Sequence, residues 1–450
     1  MRHLLPSLAL LAAVACGTGS ESPFGASGRD DERSSRPQAV AKDAQPAGPP
    51  TEAETGPGSK KGARRLASAS NAFGFDLLGQ IRHAPGNLVF SPASLTLGLV
   101  LPGAGARGET DAAFRKVLHL DESQGSPDKM LPAWGRLLTA LEDPAQSARV
   151  RIANRLFGEK SETFDPAYLE ATRAAFGATL EPADFEEAPE EARSSINAWV
   201  EERTEQRIRD LVPKGGISTQ TRLVLVNALY FLGQWQKPFE ASATRPDPFH
   251  ARPGESRDVP TMHQTSSLPY IAKDGLQALE LPYDGRGYSL LLLLPDVPDG
   301  LTALEESLDA ARLEGIVAAL APTRVAVALP KFEVNPSSSL PLGAALRTMG
   351  LAVAFDPTKA DLTGIASSPD PSRRLALEEV FHKAFIRVDE AGTEAAAATA
   401  TAVTAGSVAT PPAPPEAKFE ADHPFLFLLR DTTTGLVLFA GRVADPVPPA

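Results

Sequence analysis

Outside its ordinary surface charges, this chain holds few groups that could do chemistry: seven histidines and one cysteine. Their spacing fits no familiar reaction centre. There is no G-x-S-x-G elbow to lift a serine nucleophile out of a sharp turn and no H-E-x-x-H pair to hold zinc. No Walker loop or G-x-G-x-x-G turn is present to cradle phosphates. The histidines lack ligand spacing and the one thiol, Cys16, lies near the N-terminus, so neither a transition metal nor a cofactor is expected. An enzyme is the weaker class of reading. The unusual feature is a length of backbone. From Gly392 to Lys418 the chain reads GTEAAAATATAVTAGSVATPPAPPEAK, with no charge between Glu394 and Glu416. Two apolar, patterned segments flank it, VFHKAFIRVDE and FEADHPFLFLLRD. Composition alone reads as a linker. Between two core strands, it also suits a strand that waits in solvent and later enters a sheet.

The 450 residues allow two ordinary domains or one large one, and a formal charge of −12 argues against nucleic acid and against general binding to anionic membranes. A single cysteine excludes an intramolecular disulfide. Arg2 and His3 precede an apolar run, Leu4 to Val14, of the length of a signal segment and too short to span a membrane. The run ends in Ala13-Val14-Ala15-Cys16-Gly17, which resembles a bacterial lipobox whose cysteine is lipidated and becomes the mature N-terminus. Ala13 stands where leucine is most usual. Ala13 and Ala15 also make an A-x-A site, so plain secretion with cleavage near Cys16 is the alternative. Residues 1–15 therefore read as a signal peptide of lipoprotein type, and Cys16 as the lipid anchor of an exported protein. The anchor would lie on the outer membrane or cell surface, Gly17 rather than Asp favouring the outer membrane by resemblance to Gram-negative sorting. Residues 16–66, rich in Gly, Pro, Ser, Ala and charge, read as a disordered tether. Its basic cluster, Lys60, Lys61, Arg64 and Arg65, reads as a solvated linker end rather than a polyanion site.

From Ala67 the pattern is globular. Helical periodicity predicts helices over Asn71–Ile81, Ser91–Leu101, Asp111–Leu118, Ala167–Phe176 and Glu190–Ile208. Strand-like runs cover Arg222–Phe231, Tyr288–Leu294, Arg324–Leu329 and Ala376–Val388. Phe425–Leu429 and Leu436–Phe439 flank Asp431-Thr-Thr-Thr-Gly435 as a terminal hairpin. Helices early and strands late predict an α+β domain rather than repeated βαβ units.

Several motifs then stand in order across residues 67–446. They are Asn87-Leu-Val-Phe-Ser91-Pro92-Ala-Ser94 with the following GAGARGET, Asn227-Ala-Leu-Tyr-Phe-Leu-Gly-Gln-Trp235-Gln-Lys-Pro-Phe239, and Leu329-Pro-Lys-Phe-Glu333. Ala360-Asp-Leu-Thr-Gly-Ile365 and His382-Lys-Ala384 come next, leading into Glu390-Ala-Gly-Thr-Glu-Ala-Ala-Ala-Ala398, and Ala421-Asp-His-Pro-Phe425 closes the set. Together they resemble the serpin family. The resemblance implies a domain over 67–450, with helices packed around a large mixed sheet, smaller sheets, and an exposed reactive-centre loop at about 390–418. It implies a monomeric suicide inhibitor of serine proteases: the protease acylates itself on the loop, and the cut loop then inserts into the main sheet and drags the protease with it. Glu390, Gly392, Thr393, Glu394, Ala395, Ala396, Ala397 and Ala398 match the hinge of that loop. Asn87, Ser91, Ser94, Asn227 and His382 match the polar shutter below the opening sheet, and Trp235 matches the breach where the loop enters.

The loop's composition agrees with that implication. With Thr393 inward, the inward set is Thr393, Ala395, Ala397, Thr399, Thr401 and Val403, none charged or large, while Glu394 falls on the solvent parity. A charge on the inward set would be buried without a partner. Counting from the hinge by family spacing puts the cut bond at Gly406-Ser407. Counting back from Phe419 lands near Pro411, which leaves Val408 and Ala409 as alternatives. No Lys or Arg lies between Arg387 and Lys418, and no aromatic between Phe385 and Phe419. Small residues remain, so elastase-like or subtilisin-like proteases are the expected partners. The alternatives are a non-inhibitory serpin-like binding protein whose loop is cut without trapping and, in third place, a hydrolase.

Overall fold

The computed structural model describes residues 59–448, apart from 121–126, 144–146, 178–179, 253, 286, 369, 371–372 and 394–414. Cys16 and the expected signal peptide lie outside this range. The first helix, α1 (Lys60–Ile81), starts before the expected end of the tether. Ser59 caps it, its hydroxyl accepting from the Gly62 amide at 3.0 Å, and Leu66, Phe73 and Leu77 share its buried face. The expected 16–66 tether is thus corrected at its end: Lys60–Leu66 are helical, and the basic cluster sits on the exposed side of the first turns. The charges of these residues hid an apolar stripe that begins only at Leu66.

After strand β1 (Leu88–Phe90) comes helix α2 (Pro92–Gly105), with Pro at its first turn and Ser91 as its cap. Every residue of α2 is buried, as expected of a helix apolar all round. Helices α3 (Gly108–Val117) and α4 (Pro127–Leu141), strand β2 (Arg149–Glu159), helix α5 (Pro166–Phe176), strand β3 (Glu181–Ala183) and helix α6 (Pro189–Arg203) follow. The chain then turns to strands: β4 (Leu223–Gln234), β5 (Arg245–Arg252), β6 (Glu255–Lys273), β7 (Leu276–Pro282) and β8 (Tyr288–Pro295). Helices α7 (Leu301–Ser307) and α8 (Ala310–Ala319) intervene before β9 (Ala321–Pro330), β10 (Phe332–Val334) and β11 (Leu340–Pro341). The last elements are the short helix α9 (Gly343–Leu346) and strands β12 (Glu379–Ala384), β13 (Ile386–Val388), β14 (Gly392–Thr393), β15 (Ala417–Glu420), β16 (Phe425–Asp431) and β17 (Val437–Val443).

Among the described residues, the strands form two mixed sheets. One runs β1-β17-β16-β8-β7-β6-β9-β15, with β5 beside β6; the other runs β10-β13-β14-β4-β12-β11, with β2 on β4 and β3 on β2. Helix α2 lies between them, touching β17 on one side and β4 and β2 on the other. Strand β4 is buried on both faces, which is why its sequence is apolar almost throughout. Leu223, Leu225, Leu229 and Phe231 enter the main core, while Val224, Val226, Ala228 and Tyr230 enter a second core under α6. The expected strand Ala376–Val388 is two, β12 and β13, with Phe385 between them. Strands β2 and β6 escaped the sequence reading because charged residues fill their exposed positions.

Candidate functional site

Strands β4 and β12 run parallel, Val224 opposite Glu379 through Leu229 opposite Ala384. One row across this seam is polar: Asn154 of β2 lies opposite Asn227 of β4, and Asn227 lies opposite His382 of β12. All three side chains meet Ser91 and Ser94 at the start of α2. His382 Nε2 accepts from the Ser91 amide at 3.0 Å, so Nδ1 carries the proton and donates to Asn227 Oδ1 at 2.5 Å. Asn227 Nδ2 donates to the Ser94 carbonyl, the Ser94 hydroxyl and Asn154 Oδ1, at 2.5, 2.8 and 2.5 Å. The Ser94 hydroxyl donates to Asn154 Oδ1 at 3.0 Å, and Asn154 Nδ2 returns a bond to the Ser94 carbonyl at 2.7 Å. Burial pulls the His382 imidazole down to about 3, against the smaller opposing effect of its bond to Asn227, so it is neutral at physiological pH.

Above Ala384 the seam parts and admits a third strand. Gly392 pairs with Gln234, and Thr393 with Gly233, in antiparallel register on β4; Thr393 also lies opposite Val388 of β13. Gly392 passes so close to β4 that a Cβ there would sit 2.0 Å from the Gly233 carbonyl oxygen, which only glycine allows. Thr393 is 1 % exposed and shares a 2.5 Å hydroxyl–hydroxyl bond with Tyr283. Trp235 stacks on Tyr283, ring centroids 4.5 Å apart, and its indole N–H donates to the Asp389 carbonyl at 2.9 Å. The Trp235 amide donates to the Ala391 carbonyl. Glu390 accepts from Lys331 at 2.9 Å and from the Thr244 hydroxyl at 2.8 Å. Burial raises the Glu390 carboxyl, but these two donors outweigh it and hold the group below its ordinary value. The far end of the loop is fixed separately: β15 runs parallel to β9, Ala417 opposite Val325.

The structure thus brings together Ser91, Ser94, Asn227 and His382 at mid-seam, and Trp235, Glu390, Gly392 and Thr393 at its upper end. It does not bring Asn87 to the shutter, which corrects that expectation. Asn87 instead clamps the chain after β17: its Oδ1 accepts from the Ala444 and Asp445 amides and its Nδ2 donates to the Asp445 carbonyl. Its nearness in sequence to Ser91 misled, since β1 lies between them and pairs with β17. Asn154 takes the place in the network, and no local pattern in RVRIANRLFGE marks it. Tyr283, Thr244 and Lys331 were likewise missed. Glu394, Ala395, Ala396, Ala397 and Ala398, and the bond candidates Gly406, Ser407, Val408 and Ala409, lie outside the described residues.

Comparison with known proteins gives a consistent family. The sequence profile described as "Serpin (serine protease inhibitor)" matches residues 68–446. Human "Serpin B3" is 38% identical over 398 residues, covering 85% of this chain and 99% of its own. A "Leukocyte elastase inhibitor" of Xenopus tropicalis is 38% identical over 391 residues, with 85% and 99% covered. Among solved structures, Serpin48 of the insect Tenebrio molitor, described as a highly specific serpin, aligns with a TM-score of 0.74 at 31% identity, covering 85% of this chain and 99% of that one.

Proposed function

The chain belongs to the serpin family, and from that premise we propose that it is an irreversible, suicide-substrate inhibitor of serine proteases of elastase-like or subtilisin-like preference. One observation carries the reading: Gly392 and Thr393 are already hydrogen-bonded between β4 and β13, at the mouth of a parallel seam that has a further strand's length beneath it. Each further loop residue steps one place back along both neighbours. On β4 this puts Thr399 opposite Asn227, and on β13–β12 it puts the same Thr399 opposite His382. The two registers agree with the native pairing of Asn227 with His382, so an antiparallel strand fits the gap without a slip. Val403 then falls opposite Leu223, where β4 begins. Insertion replaces one parallel contact by two antiparallel ones, which pair slightly better per residue. The His382–Asn227 bond must break on the way, and the Thr399 hydroxyl arrives in that row with a donor and an acceptor to replace it.

In this scheme the protease serine oxygen bonds to the Gly406 carbonyl carbon and the amide to Ser407 breaks, its nitrogen taking the proton from the protease's own base. The ester then travels with the inserting strand, about 3.3 Å per residue over the roughly thirteen residues from Thr393 to Gly406, or about 43 Å. A relative named for elastase inhibition and the small residues of Ala405–Thr410 support the elastase-like class. A lipid anchor at Cys16 would hold the inhibitor on the cell surface; the mass of the mature N-terminal peptide tests it.

The deciding experiment mixes the full chain with elastase, subtilisin and trypsin and resolves the products on denaturing gels. Covalent complexes with the first two and none with trypsin are expected, and the mass of the released C-terminal peptide locates the cut. Thr393→Arg places a charge in a 1 % exposed position, so it should convert the inhibitor into a substrate. Clean cleavage without complex by the unaltered protein would replace this reading by a loop that is cut without trapping.

A further inference from the structure

At the foot of the seam lies an open cavity of about 610 Å³. It is bounded by Gln220 and Arg222, just ahead of β4, and by Ala376, Leu377 and Glu378, just ahead of β12; the last backbone rung above it runs from the Glu378 amide to the Leu223 carbonyl at 3.3 Å. Arg374 enters the cavity from the same lead-in. Its guanidinium donates to the Thr358 carbonyl at 2.6 Å and has no carboxylate partner among the described residues. Arg222 pairs with Glu186 at 2.9 Å, yet its Nε is buried without a partner among the described residues. Glu378 is the opposing charge in the lining.

We propose that this cavity is a binding site for the C-terminal carboxylate of an extended peptide strand lodged in the seam, with Arg374 and Arg222 as its cations and the cleaved end of the chain's own loop as its natural occupant. The inference rests on the strand-insertion reading above. Both registers that start from Thr393 lead here: residue 404 falls opposite Arg222 on one side and Leu377 on the other, and residue 406 opposite Gln220 and Leu375. A strand ending at Gly406 therefore projects its terminus past the last rung into the cavity. While the protease is attached that terminus is a neutral ester; after hydrolysis it is a carboxylate, which forked guanidinium donors suit. The site thus favours the hydrolysed, inserted form over the ester-linked one.

The test uses two synthetic peptides of sequence Glu394–Gly406, which begin where the chain's own paired Thr393 ends, N-acetylated and identical except that one ends in a free carboxylate and the other in an amide. An equimolar mixture is incubated with the full chain, and the retained ratio is read by mass spectrometry. At low salt the acid should be retained about two- to fivefold over the amide, as expected of a partly exposed ion pair. That preference should vanish at 1 M salt, where the screening length falls to about 3 Å, and in Arg374→Gln. Equal retention at low salt, or a preference unchanged by salt and by Arg374→Gln, overturns the carboxylate site while leaving strand insertion intact. Retention of neither peptide removes strand insertion, and this site with it.

Discussion

Two seams of this molecule are equally buried and differently made. Between β8 and β16 the strands are antiparallel and the facing pairs are Leu293–Leu426, Leu292–Phe427, Leu291–Leu428 and Leu290–Leu429. Between β4 and β12 they are parallel, and the row at mid-length is Asn154, Asn227 and His382. Opening the first would expose apolar surface that only the same partners can cover again. Opening the second breaks hydrogen bonds that an incoming strand can remake with its own amides and hydroxyls. On the proposed reading, a seam that parts is held by exchangeable bonds and a permanent seam by burial.

The comparison can be broken at four points. The largest effect is expected from Phe427→Ala, which empties a fully buried ring and should cost about 3–5 kcal/mol, lowering the denaturant midpoint without changing its slope. If instead the loss is slight, the antiparallel seam is not the fixed one. Next comes His382→Ala, which strands the Ser91 amide and the Asn227 carbonyl oxygen. At about 1–2 kcal/mol for each unpaired group, the lower part of the usual range, it should destabilise the native form by roughly 2–4 kcal/mol in equilibrium unfolding and speed annealing of the Glu394–Gly406 peptide. A slower annealing rate would show that the row does not close the seam.

The same histidine predicts an acid dependence. The unfolded imidazole takes up a proton near its ordinary 6.5, whereas the native one resists down to about 3. Its stabilising contribution is therefore complete above pH 6.5 and declines below it, by about 1.4 kcal/mol per pH unit, and the His382→Ala variant should lack this slope. The smallest effect belongs to the other seam, which ends in a histidine of opposite behaviour. His423 Nδ1 lies 2.7 Å from Asp422 and Nε2 2.7 Å from the Pro295 carbonyl, so both nitrogens face acceptors. Burial lowers this imidazole, but Asp422, the Pro295 carbonyl and Asp296 outweigh it and raise the group above its ordinary value. Its contribution is present below pH 6.5 and is lost as pH rises through the raised value. Hydrogen exchange at the Phe425–Phe427 amides should quicken more on the alkaline side than intrinsic rates explain, and His423→Gln should remove the excess.

Much of the fold was legible because its signals are local. The run Ser91–Leu101 carried a cap, a proline and an unbroken apolar stretch, and α2 follows it closely. Asp431-Thr-Thr-Thr-Gly435 between two apolar runs marked the β16–β17 hairpin. Gly392 and Thr393 stood out through the family resemblance of the Glu390–Ala398 motif, and the structure pairs both with β4. The missed residues share another property. Asn154, Tyr283, Thr244 and Lys331 look like ordinary residues in their own segments, and each gains its role from a partner 73, 110, 146 or 59 positions away.

The sequence by itself determined most of the helices and the apolar strands, and it set the small, uncharged composition of the segment after Gly392. Propensity, capping and side-chain alternation act within a few residues, so they can be read along the chain. Only the tertiary structure decided that β4 and β12 lie parallel with a polar row, Asn154, Asn227 and His382, across them. The same long-range pairing carries Asn87 away from that row to the end of β17. It also placed the seam's foot between Arg222 and Arg374. These are facts of strand register, and register is set by which distant surfaces bury one another.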